Sequence, residues 1–289
     1  MKRLLSRALA VAAVVGFAIP KCTSGGEGQW GLTVVEALRG NSGQPYWVGF
    51  MNQSEQAQGI CAPPVGSYDI SNENGDGRSG NVWPEASSPH YCVGEKQRYL
   101  VLPGETLFRL GVLPNASDSP ISMSFTLHAF DGDLGRRVIG QVEWKGVHAQ
   151  SAESFGLREV PEQGHGPSVP EDNWRASAIP MAQGPGSRTY WVGLRNASDR
   201  PRAIRTPTVV IDTPDERRRL RPEERDEGAD CSDGADTILV LSGQTSYSLA
   251  GLRRKSQGES RIRIKVAEVD ASRPCTRSVR RFELAVALP

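Results

Sequence analysis

Apolar and polar residues alternate with a period of two through much of the chain. In ISMSFTLHAFD, Ile121, Met123, Phe125, Leu127 and Ala129 fall on one side, and Ser122, Ser124, Thr126 and His128 on the other. In RIRIKV, Ile262, Ile264 and Val266 alternate with Arg261, Arg263 and Lys265. This pattern predicts antiparallel strands with one dry and one wet face. YWVGF, YLVLPGETLFRL, TVVI, TILVLSGQTSYSL and FELAVAL read as further strands, with Pro-Gly and Ser-Gly at turns. No long segment repeats its apolar residues at 3.6. The expectation is an all-β chain of antiparallel β-sandwiches, immunoglobulin-like or jelly-roll-like.

The pattern occurs twice. A shift of 144 places Trp30 on Trp174, YWVG from Tyr46 on YWVG from Tyr190, Asn52 and Ser54 on Asn196 and Ser198, and Val65 on Val209. A shift of 139 places Cys92 on Cys231 and LVLPGET from Leu100 on LVLSGQT from Leu239. A period of this length is that of a domain, not of a solenoid repeat. The reading is two tandem, duplicated sandwiches over residues 28–148 and 173–289, joined by a Pro- and Gly-rich linker over 151–172.

The N-terminus has a different character. Basic MKRLLSR precedes the apolar run ALAVAAVVGFAI, which is too short for a free-standing span and has the form of a signal peptide over residues 1–24. The rival reading is a lipoprotein in which Cys22 is lipidated, making an N-terminal lipid the only membrane attachment. Either way the expected location is periplasmic or secreted. Beyond Cys22 there are four cysteines, Cys61, Cys92, Cys231 and Cys275, two in each half. Export favours disulfides, and the expected pairs are Cys61–Cys92 and Cys231–Cys275, one of three combinatorial pairings.

Within each half one polar segment interrupts the strands before the shared cysteine: GSYDISNENGDGRSGNVWPEASSPHY in the first and DTPDERRRLRPEERDEGAD in the second. The frame matches while these inserts do not, and binding residues tend to sit on variable loops of a rigid scaffold. Tyr68, Trp83 and Tyr91 in the first insert, and Arg218, Arg219 and Arg221 in the second, are therefore the expected partner-binding residues. A second candidate surface is the wet face of RIRIKV, with Arg261 and Arg263, together with Arg277, Arg280 and Arg281. Charge supports it: residues 25–150 carry a net −5 and residues 168–289 a net +4, while the whole chain is +1. The Asn-x-Ser triplets at Asn52 and Asn196 resemble glycosylation acceptors but read better as side-chain-capped turns at the strand ends.

Catalytic, cofactor-binding and metal-ligating residues are not assigned. The chain has no G-x-S-x-G, H-E-x-x-H or phosphate-cradling loop, and His90, His128, His148 and His165 have no counterparts between the halves. The functional expectation is an exported, non-catalytic envelope protein that holds a protein partner, such as an inhibitor or immunity protein against an envelope-acting toxin. The alternatives are a carbohydrate-binding or hydrolytic envelope module, with Trp47, Trp83 and Trp191 as platforms, and a structural or adhesion surface subunit. Export argues against nucleic acid as a partner.

Overall fold

The computed structural model describes residues 29–38, 43–71, 77–87, 92, 98–114, 120–130, 136–146, 149–157, 173–180, 188–212, 217–219, 236–252, 261–274 and 280–287. The first half contains β1 (Trp30–Glu36), β2 (Gln44–Asn52), β3 (Gln58–Cys61), β4 (Val65–Ile70), β5 (Arg78–Asn81), β6 (Arg98–Val101), β7 (Thr106–Leu113), β8 (Ile121–Phe130), β9 (Arg136–Gly146) and β10 (Gln150–Ser151). The second contains β11 (Trp174–Pro180), β12 (Arg188–Asn196), β13 (Arg202–Arg205), β14 (Thr208–Asp212), β15 (Arg217–Arg219), β16 (Thr237–Val240), β17 (Thr245–Leu252), β18 (Arg261–Val269) and β19 (Arg280–Ala287). The alternation sets the faces as expected. Ile121, Met123, Phe125, Leu127 and Ala129 of β8, and Ile262, Ile264 and Val266 of β18, are all buried.

Each half is a sandwich of three strands against four. β1–β2–β7 face β6–β3–β8–β9, and β11–β12–β17 face β16–β13–β18–β19. β4 continues β3 along β8 and carries β5; β14 continues β13 along β18 and carries β15. Three strands against four is the immunoglobulin-like arrangement, not the two four-stranded sheets of a jelly roll. Trp30, Val48, Phe50, Ile60, Tyr99 and Phe125 fill the first core; Trp174, Val192, Ile204, Ile262 and Ile264 fill the second.

Positions 144 apart take the same register: β1 and β2 pair Trp30 with Asn52 through Glu36 with Tyr46, and β11 and β12 pair Trp174 with Asn196 through Pro180 with Tyr190. The match has one slip. Val65 pairs with Thr126 on the wet side of β8, whereas Val209 pairs with Ile264 on the dry side of β18. The first half therefore has one more residue between its β3 and β4 than the second has between the corresponding strands.

The halves do not sit apart on a connector. β7 pairs with β16 through Arg109–Ile238 and Phe108–Leu239, and β17 pairs with β6 through Tyr247–Leu100 and Ser248–Tyr99. Both sheets thus run on from one half into the other, and four strand edges that would template association are closed. Between the sheets, Arg109 is buried with its guanidinium 5.3 Å from the Tyr99 ring centroid and donates to Tyr99 Oη at 2.9 Å.

A third apolar cluster covers the junction on the outer side of the larger sheet. Val35, Trp47, Phe108 and Leu110 from the first half meet Ala203, Leu239, Val269 and Ala271 from the second. The start of the expected linker belongs to this cluster: β10 pairs in parallel with β1, and Ala152 and Leu157 are buried against it. The chain returns over these residues because their apolar side chains have the same incentive to leave water as any core residue. Residues 158–172 lie outside the described residues.

Asn52 and Asn196 explain the repeated Asn-x-Ser. Asn52 Nδ2 donates to Gln56 O (2.7 Å) and Val101 O (2.9 Å), while the Ser54 N–H and hydroxyl donate to Asn52 Oδ1 at 3.0 and 2.7 Å. Asn196 repeats the set with Arg200 O, Val240 O and Ser198. In each half the backbone oxygen of the same asparagine accepts the N–H of Gly104 or Gly243, whose φ values of 74° and 75° only glycine adopts without strain. The asparagine thus ties the turn after β2 or β12 to the tight turn between β6 and β7 or between β16 and β17. Both amides are fully buried, which removes them as glycosylation acceptors. Asn52→Ala or Asn196→Ala is expected to leave buried carbonyls without donors, costing about 1–3 kcal/mol for each unsatisfied group. Urea unfolding of each variant checks this, and an unchanged midpoint contradicts it.

Cys61 and Cys92 form a disulfide across 31 residues, with Cα atoms 5.6 Å apart. In the loop-entropy account a closure of this length restrains the unfolded chain by about 3–4 kcal/mol. Cys231, Cys275 and Cys22 lie outside the described residues.

Candidate functional site: a basic sheet face

The structure separates the two inserts. Most of the first is built into the sandwich. Its GSYDI is the body of β4, with Tyr68 half-buried against the first core and in register with Met123. Trp83 is 2% exposed, packs 5.6 Å from the Phe125 ring and 6.4 Å from Phe50, and donates from Nε1 to Leu110 O at 2.8 Å. It is a core residue, so its expected role as a loop-borne anchor is corrected. An indole needs both a large apolar partner and an acceptor for its N–H, and the gap between β2, β7 and β8 supplies both. Tyr91 lies outside the described residues.

The second insert has the opposite character. Its Arg217, Arg218 and Arg219 form β15, which pairs with β14: Asp212 opposite Arg217, Ile211 opposite Arg218, and Val210 opposite Arg219. β14 in turn pairs with β18, with Asp212 opposite Arg261, Ile211 opposite Ile262, and Val210 opposite Arg263. Directly opposed residues share a sheet face. Arg217 and Arg219 therefore take the same face as Arg261 and Arg263, while Arg218 takes the register of Ile211 and the buried Ile262. Of the arginines expected from the insert, Arg219 is in register with this face, Arg218 takes the alternate register opposite Ile211, and Arg221 lies outside the described residues. Arg217 was missed, although its spacing of two from Arg219 is the signal that finds it.

The face continues across β18 to β19. Lys265 pairs with Glu283, Ala267 with Arg281, Arg263 with Ala285 and Arg261 with Ala287. Arg261, Lys265 and Arg281 are exposed, and Arg263, half-buried, donates to Glu283 Oε1 at 3.3 Å. Arg280 pairs with Glu268 and is half-buried beside Phe282, on the other register, and Arg277 lies outside the described residues. By register, the insert arginines Arg217 and Arg219 and the strand residues Arg261, Arg263, Lys265 and Arg281 thus share one sheet face with Asp212 and Glu283 among the described residues.

The corresponding face of the first half has different chemistry. β8 presents Ser122, Ser124 and Thr126, flanked by Ser67 and Asp69 on β4 and by Gln141, Glu143 and Lys145 on β9. Ser67 and Ser124 are hydrogen-bonded across the strands at 3.2 Å. One frame thus carries a hydroxyl- and amide-rich face at one end and an arginine-rich face at the other, and the net charges of the halves express this difference.

A small cleft lies where the β6–β7 and β16–β17 turns approach, lined in part by Glu105, Thr106, Gln244 and Thr245. Glu105 and Gln244 occupy positions 139 apart, and each has one buried side-chain oxygen, Oε2 and Oε1 respectively, with no partner among the described residues. Burial pushes the Glu105 carboxyl above its usual range, opposed by the N–H groups of Thr245 and Leu102 and by the charge of Arg195. A carboxyl whose folded pKa is raised binds protons more readily folded than unfolded. Stability therefore falls as pH rises from the ordinary carboxylate range through the raised value, and the ionised form carries a penalty at neutral pH. Glu105→Gln, which copies the amide at the matching position, is expected to raise the neutral-pH midpoint of thermal unfolding, with the gain fading below the ordinary carboxylate range. A gain independent of pH contradicts this account.

No protein-family model matches the chain, and no curated protein matches it. Solved structures that it resembles include a transglutaminase of red sea bream, at 7% identity and TM-score 0.23 over 90% of this chain and 31% of that one. An exo-chitosanase of Amycolatopsis orientalis aligns at 14% identity and TM-score 0.26, covering 84% of this chain and 25% of that one. An exo-β-D-glucosaminidase studied with inhibitors aligns at 13% identity and TM-score 0.26, with the same coverage. The chain spans a quarter to a third of the length of these structures. Likenesses of this size carry neither activity nor substrate across to this chain.

Proposed function

We propose that this chain is an exported, non-catalytic binding protein of the cell envelope that holds an acidic partner on the basic end of its larger sheet. The observation that supports the reading is the register of β15, which adds Arg217 and Arg219 to the face of Arg261 and Arg263. Like charges gathered on one face repel one another, and a ligand of opposite charge relieves that repulsion. The rest of that sheet's outer side near the junction is occupied by its own covering residues. Inhibitors, immunity proteins and accessory factors all fit this description.

The carbohydrate alternative has lost its stacking platforms, because Trp47, Trp83 and Trp191 are 0%, 2% and 7% exposed. The structural-subunit alternative would use the remaining sheet edges for strand addition, and no particular observation favours it.

Expression of the full chain with its N-terminus, followed by fractionation and pull-down, tests the reading. The protein is expected in the envelope or the medium, and an Arg261→Glu, Arg263→Glu double variant is expected to lose at least about tenfold in partner retention, as for a patch in which a few residues dominate. Retention in the cytoplasm, or a partner held equally by the variant, contradicts it.

A further inference from the structure

We infer that Glu105 and Gln244 form a proton-operated latch between the two halves: neutral Glu105 donates its carboxyl hydrogen to the amide oxygen of Gln244, and loss of that hydrogen loosens the junction. The latch is independent of the basic face. Both residues line the cleft between the β6–β7 and β16–β17 turns, whose lining residues fall into pairs 139 apart, from Leu100 with Leu239 to Leu107 with Ser246. Glu105 and Gln244 are one such pair, so each half brings its own member to the same small space. Leu100 and Leu239 also belong to the strand pairings that join the halves, Leu100 with Tyr247 and Leu239 with Phe108.

Donors and acceptors do not balance in this cleft. Glu105 Oε1 accepts the N–H of Thr245, from the other half, at 3.3 Å. Glu105 Oε2 and Gln244 Oε1 are both buried and both without a donor. Two acceptors cannot satisfy each other, and each bare one forfeits its hydration without recompense. One proton answers both deficits: on Oε2 it turns that oxygen into a donor and gives the amide oxygen a partner. A bridging water needs space of its own, and the cleft holds about 10 Å³, at the lower limit for one water molecule.

The surroundings favour the neutral acid. β6 and β16 line the cleft with leucine and valine, and β7 and β17 with Thr106, Leu107, Thr245 and Ser246, none of which ionises near neutrality. The charged group acting on Glu105 among the described residues is Arg195 on β12, which favours the ionised form and is outweighed by burial. As pH rises and the carboxyl ionises, the cleft gains a buried charge and loses its donor. The strands on either side of it are those that hold the halves together.

The full chain is used to follow the proton and the junction together. Carboxyl-carbon NMR of glutamate-labelled protein, with Glu105 assigned by its loss in Glu105→Gln, gives the titration midpoint. Hydrogen exchange at the β7–β16 and β6–β17 pairings, corrected for the intrinsic effect of pH, gives the junction's protection. The midpoint is expected above the ordinary carboxylate value of about 4.3. Between that value and the midpoint, junction protection should fall about tenfold per pH unit and then level off, because opening returns the carboxyl to its ordinary behaviour. Protection at the β8–β9 and β18–β19 pairings should hold steady over the same range. Glu105→Gln carries an amide donor at every pH, so its junction protection should stay level. Gln244→Glu should move the Glu105 midpoint higher, since two carboxyls sharing one proton hold it more tightly.

A Glu105 midpoint at or below the ordinary value overturns the latch: the carboxyl is then ionised and takes its hydrogen from the Gln244 amide or from water. A raised midpoint with level junction protection, or with the same fall in Glu105→Gln, overturns it too, because the proton then has no hold on the junction. So does a Gln244→Glu midpoint equal to wild type, which would show that the two side chains do not meet.

Discussion

Trp83→Ala is expected to destabilise the protein by about 3–5 kcal/mol, the range for removing a large buried aromatic. The residue comes from a segment that reads as a surface insert, so the size of this effect discriminates sharply. Its ring is packed between Phe50 and Phe125, and its N–H is spent on Leu110 O. Alanine leaves a void bounded by both phenylalanines and a carbonyl without its donor. Trp83→Phe keeps much of the packing and loses the hydrogen bond, so it should cost less. Urea unfolding of both variants measures the difference. A Trp83→Ala midpoint equal to wild type would place the ring outside the core.

Trp47→Ala should cost a similar amount, about 3–5 kcal/mol, through a different part of the molecule. Trp47 follows Tyr46 on β2, so the two point to opposite faces. Tyr46 enters the first core, where burial and the Glu36 carboxylate opposite push its phenol up to about 12. Trp47 faces the junction, fully buried, and donates from Nε1 to Ala271 O at 2.8 Å. Its neighbours Ala203, Leu239 and Val269 belong to the second half. The loss should therefore appear first as weaker coupling between halves. Amide exchange at the β7–β16 and β6–β17 pairings is expected to accelerate before exchange within either core. Uniform acceleration throughout one half alone would contradict the bridging role.

Much of the fold was legible locally. The sides of β8 and β18 follow from period two, because a residue's face depends only on its own strand. The Cys61–Cys92 bridge and the capped turns at Asn52 and Asn196 were also within reach, since each closes a short or repeated stretch of chain. Trp83 was misplaced because nothing in NVWPEASS marks whether a polar stretch lies over a core or beside it. Tyr68 gave more warning: Gly66, Tyr68 and Ile70 alternate with Val65, Ser67 and Asp69, so β4 could have been read into the insert. Arg217 likewise alternates with Arg219, a spacing of two that puts these residues, and not Arg218, in one register.

What the sequence determined by itself is much of the material of the sheets: the strands with strict apolar–polar alternation, such as β8 and β18, which side of each is dry, and which half carries the positive charge. Each depends on intervals of a few residues, over which strand geometry is rigid. What only the tertiary structure decided is which strands meet. Hydrogen-bonded pairing joins residues far apart in the chain, and backbone N–H and C=O groups are the same at every position, so sequence pattern alone leaves the partner of an edge open. That pairing carries β7 onto β16 and β17 onto β6, turning two sandwiches into two continuous sheets. It also lays β15 against β14, bringing arginines more than forty residues apart in the chain onto one face.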